Sequence, residues 1–347
     1  MRLAARLLVW FWAVVLLVLL FGAAALQLLG PPRRADHPLS RPATMSRPVL
    51  AAPGAVAKAD PVLLVPAIDY PGRFLPAKAA DGRTAATAYR SLVGLPGRTP
   101  RVAILLEGIG LAAEASRRAV EELPPPVSLA VSPYAADLAR NPEPPLLDRA
   151  RSRGHELWLS LPMQPAATTA DEGDRALHRD GTADENGRAL EWTLSRFTGY
   201  VGLTDAAGGG FGEGFADGAA FSLVADAVSK RGLLYAEGGD GSHDGSALPP
   251  PRSSRRADVV IDGRADAAAI AAGLTRLDGL ATANGEAFAI AGPVSPLLVD
   301  QLRGWSDGIA RHGISLVPVS ALIPAQDPSS TPHPPAAPAR AEKAAAP

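Results

Sequence analysis

The chain of 347 residues contains no cysteine, and its charged side chains almost cancel, with a formal net charge of −1. The absence of cysteine excludes disulfide bonds, thiolate metal sites and cysteine nucleophiles. The absence of net positive charge leaves no basic field that would attract a polyanion. We therefore expect no nucleic-acid partner for this protein.

A phosphate-binding loop is also missing. The glycine-rich run AGGGFGEG at 207–214 lacks the Gly-Lys-Ser/Thr ending of a P-loop, and no convincing dinucleotide-binding unit follows it. A second glycine-rich stretch, 238–245, contains His243 between two aspartates. This composition is typical of a mobile, solvated loop, so His243 is only a weak candidate for a metal ligand. Nucleotide binding is not expected.

The N-terminus carries the one long hydrophobic run. Leu7–Leu29 contains no charged residue, and at about 1.5 Å per residue it is long enough to span a bilayer about 30 Å thick. Arg2 and Arg6 before it favour a cytoplasmic N-terminus. A cleaved signal peptide with a site near Ala23-Ala24-Ala25 is the alternative. The run predicts a single-pass inner-membrane anchor over 1–30 with the rest of the chain in the periplasm.

Proline and alanine divide the remainder of the chain. Prolines recur throughout 31–101, so this segment predicts an extended linker in which no helix or central strand propagates far. A second Pro/Ala-rich segment, 324–347, predicts a disordered tail. The segment 102–323 between them is long enough to bury one sizeable core.

Within 102–323, short apolar runs alternate with segments of helical composition. About eight such runs are present, and this alternation predicts a parallel α/β sheet or barrel. Several runs end in a polar or aromatic residue, and residues at the C-terminal ends of parallel strands line the mouth of a barrel. The runs are RVAILL (101–106), VSLAV (127–131), ELWLSL (156–161), GYVGL (199–203), LLYA (233–236), DVVID (258–262), AFAIA (287–291) and ISLVPV (314–319).

Longer phrases around these runs carry a family resemblance: RVAILLEGIGL (101–111), ELPPPVSLAVSPYA (122–135), RSRGHELWLSLPMQP (151–165), GYVGLTDAAGGGF (199–211), RGLLYAEG (231–238), AFAIAGPVSP (287–296) and HGISLVPVSAL (312–322). Through them the chain resembles the divergent polysaccharide deacetylase family throughout 102–323. That family is similar to the wider carbohydrate esterase group, which removes acetyl groups from N-acetylated sugars on a distorted (β/α) barrel with a divalent metal. The resemblance therefore implies this fold and an N-acetylated glycan as ligand.

The departures from the family pattern fall where the resemblance implies metal ligands and proton-transfer groups. An Asp-Asp pair is replaced by Glu107-Gly108, a histidine by Ala206, and a later aspartate by Glu237. The late turn, where the resemblance implies a histidine, reads Ala-Gly-Pro around Gly292. Alanine and glycine side chains supply no metal ligand. The pattern therefore indicates that the fold is retained while the metal-binding side chains are lost.

Two functions stay open at this point. One is a catalytically impaired pseudo-enzyme that binds an N-acetylated glycan or a cell-envelope protein and needs no cofactor. The other is an active N-deacetylase in which Glu107 and Glu237 hold a divalent metal such as zinc, with His243 as a further weak ligand. In both cases the candidate catalytic residues are Glu107 and Glu237, and the candidate substrate-binding residues are Ser132, Tyr134 and Asp205.

Three other side chains are interpreted as structural. His155 opens a predicted strand, at the end of the barrel remote from the mouth, and is expected to bond the backbone there. Trp158 lies within the same strand and Trp192 on a helix, which are positions more typical of core residues than of sugar-stacking platforms.

Overall fold

The computed structural model describes residues 54–93, 100–135, 146–165, 173–216, 218–239 and 253–323. The predicted anchor, the first part of the linker, the C-terminal tail and His243 lie outside these ranges. Within the described residues, no helix combines the length and the apolar character needed to cross a membrane.

The described residues form short strands and helices in alternation. The strands are β1 (Leu64–Pro66), β2 (Phe74–Pro76), β3 (Arg101–Ile109), β4 (Ser128–Val131), β5 (Leu157–Ser160), β6 (Gly202–Thr204), β7 (Ala206–Ala207), β8 (Gly210–Phe211), β9 (Leu234–Glu237), β10 (Ser254–Arg256), β11 (Val259–Asp262), β12 (Glu286–Gly292) and β13 (Ser315–Leu316). The helices are α1 (Ala85–Ala88), α2 (Ala113–Glu122), α3 (Leu146–Arg153), α4 (Ala183–Leu194), α5 (Glu213–Ala216), α6 (Ser222–Arg231), α7 (Ala267–Asn284) and α8 (Pro296–Ile309).

Nine of the described strands form one parallel sheet. Its order is β10-β9-β6-β5-β4-β3-β12-β11, and β13 also pairs with β3. Residues 102–106 of β3 are completely buried, because strands of a parallel sheet are covered on both faces and therefore appear in the sequence as unbroken apolar runs. All eight predicted strands are present, and the predicted α/β class with a parallel, barrel-type sheet is confirmed.

The sheet curls so that its two edge strands follow one another in the chain. The backbone N–H of Ala257, just after β10, donates to the carbonyl of Glu237 in β9, at 2.8 Å. The next residue, Asp258, donates its N–H to the carbonyl of Phe288 in β12, also at 2.8 Å. The chain thus crosses directly from one edge of the half-barrel to the other. This crossing brings the ends of β9, β11 and β12 to the same mouth.

Local capping signals fix the ends of the outer helices. Thr182 caps α4 in a reciprocal capping box with Glu185, and Asp266 caps the start of α7. α6 ends at Gly232 and α7 at Gly285, both in the left-handed conformation that glycine adopts without strain. These signals place the helices between the strands without distorting the sheet.

A buried carboxylate holds the lower end of the sheet together. Glu156, which directly precedes β5, is fully buried. Its carboxylate accepts hydrogen bonds from the Ser128 hydroxyl at 2.8 Å, the Trp158 indole N–H at 3.1 Å and the Ser320 hydroxyl at 2.7 Å. It also accepts the backbone N–H of Ser91 at 3.2 Å. The N-terminal segment, two strands and the C-terminal segment therefore all bond to this one carboxylate. Trp158 is a core residue, as expected.

The ring nitrogens of His155, the residue before Glu156, lie near backbone carbonyl oxygens. Its Nδ1 is 2.9 Å from the carbonyl oxygen of Val127, and its Nε2 is 3.3 Å from that of Val120. Burial lowers the pKa of the imidazole, which disfavours the charged form. The interpretation of His155 as a residue that bonds the backbone is confirmed.

The predicted extended linker differs from the structure over residues 54–93. Here β1 and β2 form an antiparallel hairpin, and Leu63, Leu75 and Tyr89 are buried in the same core as the main sheet. The Tyr89 hydroxyl also accepts the backbone N–H of Asp60 at 2.8 Å. The prolines limit the strands to three residues, as expected of edge strands. They do not prevent the intervening apolar side chains from packing, so the prediction of an extended spacer is wrong for this part.

Candidate active site and its carboxylates

The predicted site residues lie at the C-terminal ends of neighbouring parallel strands. Glu107 belongs to the end of β3, Ser132 follows β4, Asp205 follows β6, and Glu237 ends β9. Because β3, β4, β5, β6 and β9 are consecutive in the sheet, these ends meet at one mouth. The structure thus brings these four residues together, and their roles in binding or catalysis stay predictions.

Glu107 is a buried carboxyl group without a hydrogen bond. The residue is 2 % exposed, and neither carboxylate oxygen has a hydrogen-bond partner among the described residues. Burial raises its pKa to about 7, although the nearby backbone N–H groups of Gly208 and Gly209 and the charge of Arg264 oppose that rise. An orphaned carboxyl of this kind is rare in native proteins and marks a functional position or a strained one.

A glycine hairpin covers Glu107 from the solvent side. β7 and β8 pair antiparallel around Gly208 and Gly209, whose φ angles of 60° and 87° lie in the left-handed region. Arg264 holds this turn, since its guanidinium donates to the Gly208 carbonyl at 2.6 Å. A Cβ at position 209 would lie 2.3 Å from the Arg264 Nη1. Position 209 therefore favours glycine mainly for its backbone conformation, because the exposed Arg264 side chain can move away from an added Cβ.

Glu107 also occupies the space beside the late turn. A Cβ on Gly292 would lie 2.4 Å from the Glu107 Cγ and 2.7 Å from its Oε1. Any side chain at 292, including the histidine that the resemblance implies for this turn, would require Glu107 to move. The longer acid at 107 and the glycine at 292 are therefore sterically matched substitutions.

The other two carboxylates are already bound by the protein itself. Asp205 is 2 % exposed, and its Oδ1 accepts the backbone N–H of Gly238 at 2.7 Å. Glu237 is 8 % exposed and accepts a charge-assisted hydrogen bond from the Arg256 guanidinium at 2.5 Å. Both carboxylates thus have hydrogen-bond donors within the protein itself.

A small cleft opens next to the hairpin. Its volume is about 170 Å³. Tyr134 forms one side with its ring 36 % exposed, and its hydroxyl accepts the backbone N–H of Arg175 at 3.2 Å. The cleft is lined by Leu111, Ser132, Tyr134, Pro162, Gly173, Ala207 and Gly208.

Comparison with known proteins decides the family. Residues 104–323 match the family model described as divergent polysaccharide deacetylase. The chain belongs to the divergent polysaccharide deacetylase family. Its fold is similar to that of an uncharacterized Agrobacterium tumefaciens C58 protein, at 30 % identity and a TM-score of 0.62, covering 72 % of this chain and 99 % of that one.

Two further comparisons add little. A peptidoglycan deacetylase of Bdellovibrio bacteriovorus is 13 % identical with a TM-score of 0.36, covering 77 % of this chain and 65 % of its own, which is too distant to carry an argument. No curated protein matches the chain.

The described residues of this family member do not fit a catalytic zinc ion. Such an ion takes three protein ligands, commonly with imidazole nitrogen among them, and a water. Among the described residues, no group of three or more histidine, aspartate or glutamate side chains is placed to hold a metal. Asp205 and Glu237 have protein partners, and His243 lies outside the described residues. We therefore derive no chemical step through a metal.

Sequence reasoning missed the arginines of this family member's mouth. Arg264 lies two residues after the end of β11. The rule that residues at the C-terminal ends of parallel strands line the mouth, here called the strand-end rule, could therefore have found it. Arg256 carries no local signal, because its contact with Glu237 arises only in the folded chain. Trp192 and Arg196 are four residues apart around the end of α4, so this pair could have been found from the sequence. Trp192 is half-buried rather than a core residue, which corrects its interpretation from the sequence.

Proposed function

We propose that this member of the family is a pseudo-enzyme of the cell envelope that binds a glycan without hydrolysing it. The single observation that carries this proposal is the state of the mouth carboxylates. Asp205 and Glu237 have protein donors, while Glu107 is buried beneath the glycine hairpin. Metal-assisted deacetylation needs ligands that bind an ion and a base that deprotonates its water, and the surroundings of these side chains argue against both roles.

The close fit between Glu107 and Gly292 supports the loss of deacetylase activity through several matched substitutions. Glu107 fills the volume that a side chain at position 292 would need. Reversal of one substitution alone would therefore create a clash instead of a ligand pair. An active enzyme with Glu107 and Glu237 as substitute ligands remains the competing function, and in it Glu237 would share its carboxylate between the ion and Arg256.

Glycan binding is supported by the cleft and by family membership, the second of which is an analogy. The cleft of about 170 Å³ is smaller than pockets that enclose a whole small-molecule ligand, which are about 300–1,000 Å³. It suits a single sugar unit of a longer chain. The exposed Tyr134 ring offers a stacking face, and Ser132 offers a hydroxyl group. A cell-envelope protein that covers the same mouth is the alternative partner.

The proposed location is the inner membrane, with residues 54–323 in the periplasm. It rests on the apolar run Leu7–Leu29 and on Arg2 and Arg6 before it. Fractionation should place full-length protein in the inner membrane. A protease added from the periplasmic side should cleave the Pro-rich segment that follows the anchor. A soluble periplasmic form that begins near Leu26 would show that the run is a cleaved signal peptide.

A binding and turnover experiment tests the proposed function. Purified full-length protein should bind an N-acetylglucosamine tetramer in calorimetry. It should release no acetate from that tetramer when zinc, cobalt or manganese is added. Metal-dependent acetate release that disappears in Glu107→Ala would establish the competing enzyme instead. The absence of any glycan binding would remove the proposed function.

A further inference from the structure

A cluster of two arginines and two aromatic rings stands at the edge of the cleft. The Trp192 ring, at the last turn of α4, has the Arg196 guanidinium 4.8 Å and the Arg175 guanidinium 5.9 Å from its centroid. The Tyr134 ring, which lines the cleft, lies 5.3 Å from the Trp192 ring. We call Tyr134, Arg175, Trp192 and Arg196 the Trp192 cluster. Stacking of a guanidinium on an aromatic face fixes its plane while its N–H edges stay available.

The two arginines of the Trp192 cluster differ in what their guanidinium groups contact. Arg196 donates its Nε–H to the carbonyl oxygen of Pro133 at 2.9 Å, which ties α4 to the strand end below Tyr134. The Arg175 guanidinium makes no hydrogen bond to an acceptor among the described residues, and its side chain is 48 % exposed. Its nearest carboxylate, Asp174, is 4.0 Å away and 85 % exposed. A solvated pair at that distance competes weakly for an arginine.

A third guanidinium lies beside the cleft. Arg264 is exposed, and it donates to the carbonyl of Gly208, a residue that lines the cleft. One guanidinium has five N–H donors, so this single bond leaves further donors for a ligand. Arg175 and Arg264 thus each contact a residue that lines the same cleft.

No acid opposes these cations inside the cleft. The described residues that line it include no aspartate or glutamate. Asp205 and Glu237 are buried and bonded to Gly238 and Arg256. A negatively charged group that enters the cleft beside Arg175 and Arg264 would therefore meet donors of hydrogen bonds and no nearby like charge in the lining.

We propose that the cleft is selective for an acidic glycan, one in which a sugar bearing a carboxylate adjoins the N-acetylated unit. The sugar ring stacks on Tyr134, and the carboxylate accepts the two N–H groups of the Arg175 edge, with Arg264 as a second donor. Fork-to-fork pairing of guanidinium and carboxylate gives this arrangement its geometry. The inference rests on the proposed glycan binding and adds the charge of the ligand to it.

The test compares ligands that differ in charge alone. Full-length protein is titrated with a hyaluronan tetrasaccharide, which alternates glucuronate and N-acetylglucosamine, and with the same tetrasaccharide after reduction of its carboxyl groups to alcohols. We expect the acidic form to bind about tenfold more tightly, the effect of one charge-assisted hydrogen bond. In Arg175→Gln this preference should fall to about twofold or less, and in Arg175→Lys it should be intermediate. Arg276→Gln, an exposed arginine on α7, is the matched control and should keep the full preference.

Three results would count against the inference, and they can be told apart from failure of the proposed function. Equal affinity for the two tetrasaccharides, or a preference that persists in Arg175→Gln, would overturn the acidic-glycan selectivity while glycan binding stands. Binding of neither tetrasaccharide, nor of the N-acetylglucosamine tetramer, would overturn both. Raising the salt concentration should weaken the binding of the acidic tetrasaccharide and leave that of the reduced one unchanged, because salt screens exposed charges.

Discussion

Replacement of Glu107 by glutamine should stabilise the protein far more at alkaline pH than in acid. The two side chains have nearly the same size, but glutamine cannot ionise. In the folded protein, burial raises the pKa of Glu107 from 4.5 to about 7. The folded state therefore holds the proton of Glu107 more tightly than the unfolded state does.

The sign and the size of the effect follow from linkage. Between about pH 4.5 and pH 7 the folded state binds more protons than the unfolded state, so the wild-type free energy of unfolding falls as the pH rises. Each pKa unit corresponds to about 1.4 kcal/mol, and the rise from 4.5 to about 7 therefore costs about 3 kcal/mol above pH 8. The variant avoids this loss. Its advantage should be about 1 kcal/mol near pH 5, where the unfolded carboxyl is already largely ionised, and approach about 3 kcal/mol near pH 8.5.

Urea unfolding of the full-length wild type and variant at about pH 5 and about pH 8.5 measures this difference. Glu114→Gln is the matched control, because Glu114 is exposed on α2 and Arg117 lowers its pKa. That variant should gain no stability in alkali. A stability difference between Glu107→Gln and wild type that is the same at both pH values would refute the reasoning about the buried carboxyl.

Three other substitutions test the packing around the mouth and below it. Glu156→Ala should lower the free energy of unfolding by about 3 kcal/mol or more, because it strands several buried donors, and a change below about 1 kcal/mol in urea unfolding would show that the cluster contributes little. Gly209→Ala should cost about 1–3 kcal/mol, since it strains the left-handed turn and displaces Arg264; an unchanged Tm would contradict this. Gly292→His should destabilise by about 1–3 kcal/mol through overpacking, and Glu107→Asp in the same chain should recover part of the loss. Equal destabilisation with and without the second change would disprove the steric match.

The sequence predicted best those strands that are buried on both faces, because nearly all of their side chains are apolar. β3, β9 and β12 are covered on both faces, so their apolar runs predicted them directly. β10 carries the polar sequence Ser-Arg-Arg and forms only through pairing with β9, which no local pattern indicates. The hairpin of β1 and β2 was missed because frequent prolines are typical of extended linkers as well as of short edge strands.

The site was predicted to a similar extent and for similar reasons. The strand-end rule placed Glu107, Asp205 and Glu237 at one mouth, because the geometry of a parallel sheet sets those positions. It could not show that Arg256 bonds Glu237 or that Arg175 stacks on Trp192. Those contacts join residues that are well separated in the sequence, and only the folded chain brings them together.

Metal content measures the central claim most directly. Purified full-length protein, equilibrated with excess zinc and then freed of unbound ions by gel filtration, should retain far less than one zinc per chain in mass spectrometry. This follows because Asp205 and Glu237 have protein donors and no third ligand is placed near them among the described residues. One tightly held zinc per chain, lost in both Glu107→Ala and Glu237→Ala, would contradict the account and restore the metal-dependent deacetylase.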